Sequence, residues 1–328
     1  MKIVVYGLGN KGKAFLGHMI DVLKQQKIEL LAISDSNVDC DMSTDRRFVM
    51  PQQLVNCVLD YVVVTTTEMY FEEIKEQLVN LGIQCGKIVS IDEFVNIAAP
   101  FECNMCGSRN LAWRETGLDL SFMNKRIVGG GRRKGVCPIC GSIDRTRYVY
   151  HFLKEYTDIF KNTCSVLHFA PEECLTKKLK ENKACSCISA DIELGRADAV
   201  ADITNLQFAN DTFDYIICNH VLEHIVDLPK ALSELKRVLK KNGKAIVTVP
   251  ICWEIKTYED SSIITPENRF ENYGQEDHVR LFGCDTAEII ENAGWKVNEY
   301  KCRDIADAET IEKRGFIADD CLFEVTKE

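Results

Sequence analysis

The sequence contains no apolar run of about 18 residues, the length that crosses a bilayer, so no membrane span is expected. It lacks a secretory-type start. "MKIVVYGLGNKGKAF" places a short apolar run before glycines, without a small-residue cleavage site, and reads as a first β-strand. A cytoplasmic location is the expectation. Nor is there an excess of positive charge: 40 Lys and Arg stand against 50 Asp and Glu, a net charge of −10. A general nucleic-acid binder needs a cationic face to release counterions, so that class is disfavoured. Internal repeats and low-complexity tails are also missing.

What remains is an ordinary globular composition, 46% hydrophobic and 27% charged. A chain of 328 residues exceeds a typical single domain, so two or three are expected. Sixteen cysteines need a reason. In a reducing compartment they do not form a disulfide framework. Most, such as Cys57, Cys218 and Cys252, stand singly at apolar positions and act as small hydrophobes.

Three segments follow one another. Over 1–98, β-branched runs ("KIVVYG", "ELLAISD", "DYVVVTT", "GKIVSI") alternate with helical stretches, which argues a parallel sheet covered on both faces. Over 99–142 glycine, arginine and cysteine replace any helical period; so small a piece has little core and calls for a metal. Over 143–328 the alternation returns. It ends in a helix, "DTAEIIENAG", and two strands, "WKVNEYK" and "CLFEVTK", suited to an antiparallel pair. The fold class expected is α/β, with two Rossmann-like parallel-sheet domains joined by a small zinc ribbon.

The ribbon rests on "CNMCG" and "CPICG". Cys103, Cys106, Cys137 and Cys140 supply four sulfurs, the set tetrahedral Zn²⁺ takes, and the glycines let backbone N–H groups approach sulfur. Four protein ligands close the site, so a structural role is expected; free or redox pairs are the alternative. The insert "NKRIVGGGRRKG" is basic, a solvated loop or a contact for phosphate or RNA.

The stretch from Ile216 to Pro250 reads strand, helix, glycine stop at Gly243, strand. Its first turn holds Asn219, His220, Glu223 and His224. Glu223 suits a first helical turn and His224 a cap or packing position, or the group is a site.

"CPICGSIDRTR", "VLHFAPE", "ADITNLQFANDTFDYIICNHVLEHI", "RVLKKNGKAIVTVP" and "DHVRLFG" together resemble the class I S-adenosylmethionine-dependent methyltransferases, and most closely a bacterial group with a zinc ribbon before the sheet. The resemblance covers about 166–295 and implies an enzyme using S-adenosylmethionine. In such a sheet the ligand lies at the carboxyl ends of the strands, at the switch point. The resemblance then assigns Asp191 to the ribose hydroxyls, Asp202 to the adenine amino group, Ile203 to the ring, and Asn219 and His220 to the sulfonium side. After the first strand the family's acid and glycines are replaced by "HFAPEE". There His168 and Ala170 border the methionine pocket and Glu172 is a candidate for its ammonium. Transfer to a hydroxyl needs a base, and His220 and His278 are the candidates, since imidazole titrates near neutrality. Arg280 and Tyr273 are candidates for the acceptor; a structural pair with Asp277 or Asp285 is Arg280's alternative.

"VVYGLGNKGKAF" carries G-x-G-x-x-G at Gly7, Gly9 and Gly12 between a strand and a helix, with Asp35 after the second strand. It resembles the small Rossmann-like domains at the front of nucleotide-sugar-modifying enzymes. A nucleotide or nucleotide-sugar is the implied ligand, NAD(H) the alternative. The expected acceptor is a sugar or related small molecule in glycan biosynthesis. Methylation of RNA, or a non-catalytic nucleotide-binding protein with a degenerate methyltransferase domain, are the other readings. Assembly as a homo-oligomer is left open.

Overall fold

The computed structural model describes residues 1–37, 45, 47–119 and 127–327. The chain divides into two compact units: Met1–Glu102 with Arg109–Ala112, and Cys103–Ser108 with Trp113–Glu328. Residues 124–126 of the basic insert lie outside the described residues.

The first unit runs β1 (Lys2–Tyr6), α1 (Asn10–Gln25), β2 (Glu29–Ser34), β3 (Tyr61–Val64), α2 (Glu68–Asn80), β4 (Ile88–Ser90), α3 (Ile91–Ala98), and the short antiparallel pair β5 (Phe101–Glu102) and β6 (Arg109–Asn110). Its parallel sheet has the order β2-β1-β3-β4. The central strands are buried on both faces, which is why they read as unbroken runs such as "IVVY" and "VVV". Ser90 starts α3 through a capping box: its Oγ accepts from Glu93 N, 3.2 Å, and Glu93 Oε2 accepts from Ser90 N, 2.8 Å.

The second unit begins with the hairpin β7 (Arg114–Thr116) and β8 (Arg133–Val136). Then come α4 (Asp144–Tyr156), β9 (Cys164–Phe169), α5 (Glu173–Glu181), β10 (Cys185–Asp191), β11 (Ala199–Val200), β12 (Phe213–Asn219), α6 (Leu228–Val238) and β13 (Leu239–Thr248). The rest is β14 (Ile251–Cys252), α7 (Pro266–Tyr273), β15 (Phe282–Gly283), α8 (Thr286–Asn292), β16 (Trp295–Lys301), α9 (Cys302–Ile305), α10 (Ala308–Arg314) and β17 (Cys321–Lys327). The main sheet has seven strands in the order β11-β10-β9-β12-β13-β17-β16. The last two strands pair antiparallel and β17 runs antiparallel to β13. The chain moves outward from β9 through β10 to β11, then returns to β12 on the other side of β9. Strand order therefore reverses between β9 and β12, and a crevice is expected at their carboxyl ends.

Helix α6 shows how local sequence fixes the layer. Asp227 caps it, accepting from Lys230 N at 3.0 Å, and Pro229 occupies its first turn. Leu228, Ala231, Leu232, Leu235 and Val238 form one buried stripe against the sheet. The helix ends at Val238, and Gly243 is not its stop: it lies inside β13. A Cβ at Gly243 would stand 2.9 Å from Asp214 O of the neighbouring strand and 2.8 Å from Leu239 Cδ1. The β12–β13 register shifts here, between Phe213 and Tyr215. Close approach of two strands, not a helix end, is what requires this glycine.

Asp320, just before β17, is buried at 7% exposure. Burial, then the charge of Asp144, push its carboxyl up to about 7. An acid whose folded pKa is raised contributes stability that is whole below the ordinary carboxylate value and is lost as pH rises through the folded one. Between pH 5 and 8 the second unit is expected to lose about 2–4 kcal/mol from this group. Asp320→Asn removes that slope in urea melts taken across the range; an equal slope in the variant would contradict the assignment.

Candidate functional site

The four knuckle cysteines converge. Cys103 Sγ lies 3.7 Å from Cys140 Sγ, and Cys106 Sγ 3.8 Å from Cys137 Sγ. Sulfurs about 2.3 Å from a tetrahedral zinc are about 3.8 Å apart, so the spacing fits the ion. Both knuckles have one construction. Gly107 and Gly141 take left-handed φ of 76° and 72°, and their N–H groups donate to Cys103 O and Cys137 O. The hydroxyls of Ser108 and Ser142 lie 3.1–3.5 Å from the sulfurs. The chain behind is tied by the buried Arg147, which donates to Gly135 O, Ser142 O, Arg314 O and Gly315 O.

At the reversal between β9 and β12 a cleft of about 370 Å³ opens. Phe169 and Ala170 line it from the end of β9, Asp191 from β10, and Asp202, Ile203, His220 and Ile225 from the loops that follow. The two acids expected to grip one ligand thus share a wall. Asp191 Oδ1 accepts from Glu193 N at 2.8 Å. Asp202 Oδ1 accepts from Thr204 N and Thr204 Oγ1, both 2.8 Å. Ala170 and His220 have left-handed φ of 42° and 51°, outside glycine an uncommon state, so both strand tips turn sharply at the cleft.

His168, Glu172 and Asn219 are brought together, but none of them lines the cleft. His168 is fully buried; its Nε2 meets Glu172 Oε2 at 2.9 Å and its Nδ1 meets Thr176 Oγ1 at 3.0 Å. Asn219 Nδ2 donates to Glu172 at 3.4 Å and its Oδ1 accepts from Thr248 Oγ1. Burial would raise the Glu172 carboxyl, but the His168 hydrogen bond and charge hold it below its ordinary value. This network stiffens the two strand tips.

A second cavity of about 230 Å³ abuts the first through a shared residue, His220. Its walls include Tyr273, His278, Arg133, Arg145 and the glycines 129–131. Burial, then the charge of Arg145, push His220 below its ordinary value; burial does the same to His278. Both rings are therefore neutral at pH 7, as a proton acceptor must be.

Arg280 corrects an expectation. It is 1% exposed and its guanidinium is spent on Glu259 and on the carbonyls of Leu222, Ile225 and Val226. It braces the turn after β12 and does not face an acceptor, nor does it pair with Asp277 or Asp285. Two arginines line the second cavity: Arg133, paired with Asp144, and Arg145, missed in the sequence although "DRTR" begins three residues after the second knuckle.

In the first unit Gly7 has φ 93°, and a Cβ on Gly12 would stand 1.9 Å from Gly7 O, so helix and strand pack through these two glycines. A Cβ on Gly9 would meet nothing within 4 Å among the described residues. Asp35 does not stand free for a ribose: its Oδ2 accepts from Leu8 N and its Oδ1 from Asn37 N. A groove of about 940 Å³ lies by Lys11, Thr66, Met69 and Ser90, at the carboxyl ends of β3 and β4.

A family model described as a methyltransferase domain matches residues 175–247, and one described as C2185-like, N-terminal matches residues 1–89. An uncharacterized protein of Methanocaldococcus jannaschii is 43% identical over 72 residues, 22% of this chain and 25% of that protein. A demethylmenaquinone methyltransferase of Corynebacterium urealyticum is 36% identical over 81 residues, 22% of this chain and 35% of its own. The chain thus spans between a quarter and about a third of these relatives. Among solved structures, a SAM-dependent methyltransferase from Archaeoglobus fulgidus aligns with 55% of this chain and 93% of its own at 15% identity and a TM-score of 0.37. The [4+2]-cyclase SpnF aligns with 57% and 82% at 14% identity and a TM-score of 0.39.

Proposed function

We propose, from the premise that residues 175–247 belong to a methyltransferase domain, that the chain transfers a methyl group from S-adenosylmethionine to a small hydroxylated acceptor, a sugar or a close relative. One observation carries the reading. The cleft at the strand reversal joins Asp191, Asp202 and Ile203, and His220 stands between that cleft and a second cavity.

The cleft's lining suits an adenosine: two carboxylates for polar edges, with Phe169, Ile203 and Ile225 for a ring. When bound, the cofactor supplies an activated methyl on its sulfonium. The chain's residues do the rest. Asp191 accepts the ribose hydroxyls, Asp202 and Ile203 hold the adenine, and the left-handed Ala170 lets the β9 tip come close. The network of His168, Glu172 and Asn219 keeps both tips in place. His220 and His278 wall the second cavity, where neutral imidazoles take a proton from an acceptor hydroxyl. Tyr273 and Arg145 shape that cavity, Arg145 as the cation for an acceptor oxyanion or phosphate. Alignment of the two groups and exclusion of water account for most of the expected rate.

The four cysteines bind structural zinc in this reading, and the front unit binds a nucleotide or nucleotide-sugar. The test is incubation of the full chain with methyl-labelled S-adenosylmethionine and a fractionated cell extract. Label in a sugar-containing small-molecule fraction bears the reading out. Label in RNA alone, or cofactor binding with no transfer to any fraction, overturns it.

A further inference from the structure

Where the two cavities meet is a cluster that includes His278, one of the two bases of the proposed transfer; with His278 on an ion, His220 is the base. We propose that Glu223, His224 and His278 bind one divalent first-row metal ion.

One carboxylate oxygen of Glu223 and one ring nitrogen of each histidine lie within 4.8 Å of one another. Donors about 2.1 Å from one ion stand about 3.0–3.4 Å apart, so side-chain rotations that draw the three groups inward close the set. Glu223 is 1% exposed, and neither of its oxygens has a hydrogen-bond partner among the described residues. His220 Nδ1 stands 3.3 Å from Oε1, but without the alignment of a hydrogen bond. An ionised carboxylate buried this way costs several kcal/mol unless a cation compensates it.

The histidines are set as ligands. His278 is 2% exposed; its Nδ1 donates to Tyr273 O at 3.1 Å. A carbonyl only accepts, so the proton sits on Nδ1 and Nε2 keeps its lone pair. That Nε2 is buried without a partner among the described residues. His224 Nδ1 lies 3.1 Å from Asp277 Oδ2, which likewise leaves its Nε2 the lone pair. The two rings are nearly perpendicular, 86°, with centroids 4.7 Å apart. Metal-bound histidines characteristically donate their second nitrogen to a carbonyl or carboxylate; His278 does so to Tyr273 O, and His224 has the Asp277 carboxylate beside its Nδ1.

Two imidazoles and one carboxylate select ions such as Mn²⁺, Fe²⁺, Co²⁺ or Zn²⁺ over the all-oxygen preference of Ca²⁺. Three protein ligands leave positions open. His224 lines the cleft and His278 the second cavity, so the ion lies where they meet. That it would orient an acceptor oxygen there rests on the proposed transfer; the binding itself does not.

The test is cobalt titration of the full-length chain with its cysteines already loaded with zinc. One Co²⁺ per chain is expected, with weak d–d bands and no thiolate charge-transfer band. Glu223→Gln and His278→Asn should weaken binding at least thirtyfold. Both residues are buried, so His224→Asn, at a partly exposed position, is the third variant, with circular dichroism confirming its fold. No cobalt beyond what displaces zinc from sulfur, or binding unchanged in His224→Asn, overturns the site. The readout is occupancy, not turnover, so its outcome is independent of the transfer assay.

Discussion

Replacing Asp191 by alanine lowers the affinity of the full chain for S-adenosylmethionine at least tenfold. The carboxylate sits at the tip of β10, on the wall of the cleft. One of its oxygens accepts a backbone N–H from Glu193 at 2.8 Å, which fixes its direction. Hydrogen bonds to a charged group are worth about 1.5–3 kcal/mol, and about 1.4 kcal/mol is tenfold. Asp202→Asn should cost less. Its side chain is exposed and one oxygen is already shared by two donors from Thr204. Calorimetry on both variants checks the order. An Asp191→Ala affinity within twofold of the parent would remove the ribose contact.

Replacing Cys137 by serine should cost the protein its zinc and lower its melting temperature by about 10 °C or more, since binding of structural zinc is folding free energy. Cys137 is fully buried, 3.8 Å from Cys106 Sγ, so no solvent group replaces its sulfur. The knuckle ends β8, and β7 with β8 leads to Thr116 and the glycines 129–131 on the wall of the second cavity. Loss of metal therefore loosens the acceptor side, while the cofactor cleft, built on β9, β10 and β12, survives. Metal analysis and thermal melts with and without chelator measure this. A parent protein with under a tenth of an equivalent of zinc and a chelator-independent melt would contradict it.

The features legible in the sequence were those written within a few residues. The two C-x-x-C-G knuckles fix their own turns. Short β-branched runs such as "YIIC" between turn signals suit strands buried on both faces, and the acids that end strands fall on one crevice because parallel strands share a direction. Strand reversal then put Asp191 and Asp202 on one wall without any local signal saying so. What escaped was set by contacts far along the chain. For Arg280 neither an acceptor nor a pair with Asp277 or Asp285 was right, because its partners Leu222 and Ile225 lie 58 and 55 positions away. Gly243 passed for a helix stop because the strand that crowds it, at Asp214, is equally invisible locally. Asp35 stood where a ribose acid belongs, yet the Leu8 amide takes it. Helices α7 and α10 were hidden in polar stretches, although Thr265 before Pro266, and Asp307 three residues before the N–H it accepts, were readable caps.

The central claim is that the crevice between β9 and β12 holds an adenosine. Titration of the full-length chain with S-adenosylhomocysteine, followed by isothermal calorimetry, tests it most directly. The account predicts one site per chain with a dissociation constant in the micromolar range or tighter. An absence of heat at every temperature tried, together with an unshifted thermal melt, would contradict it.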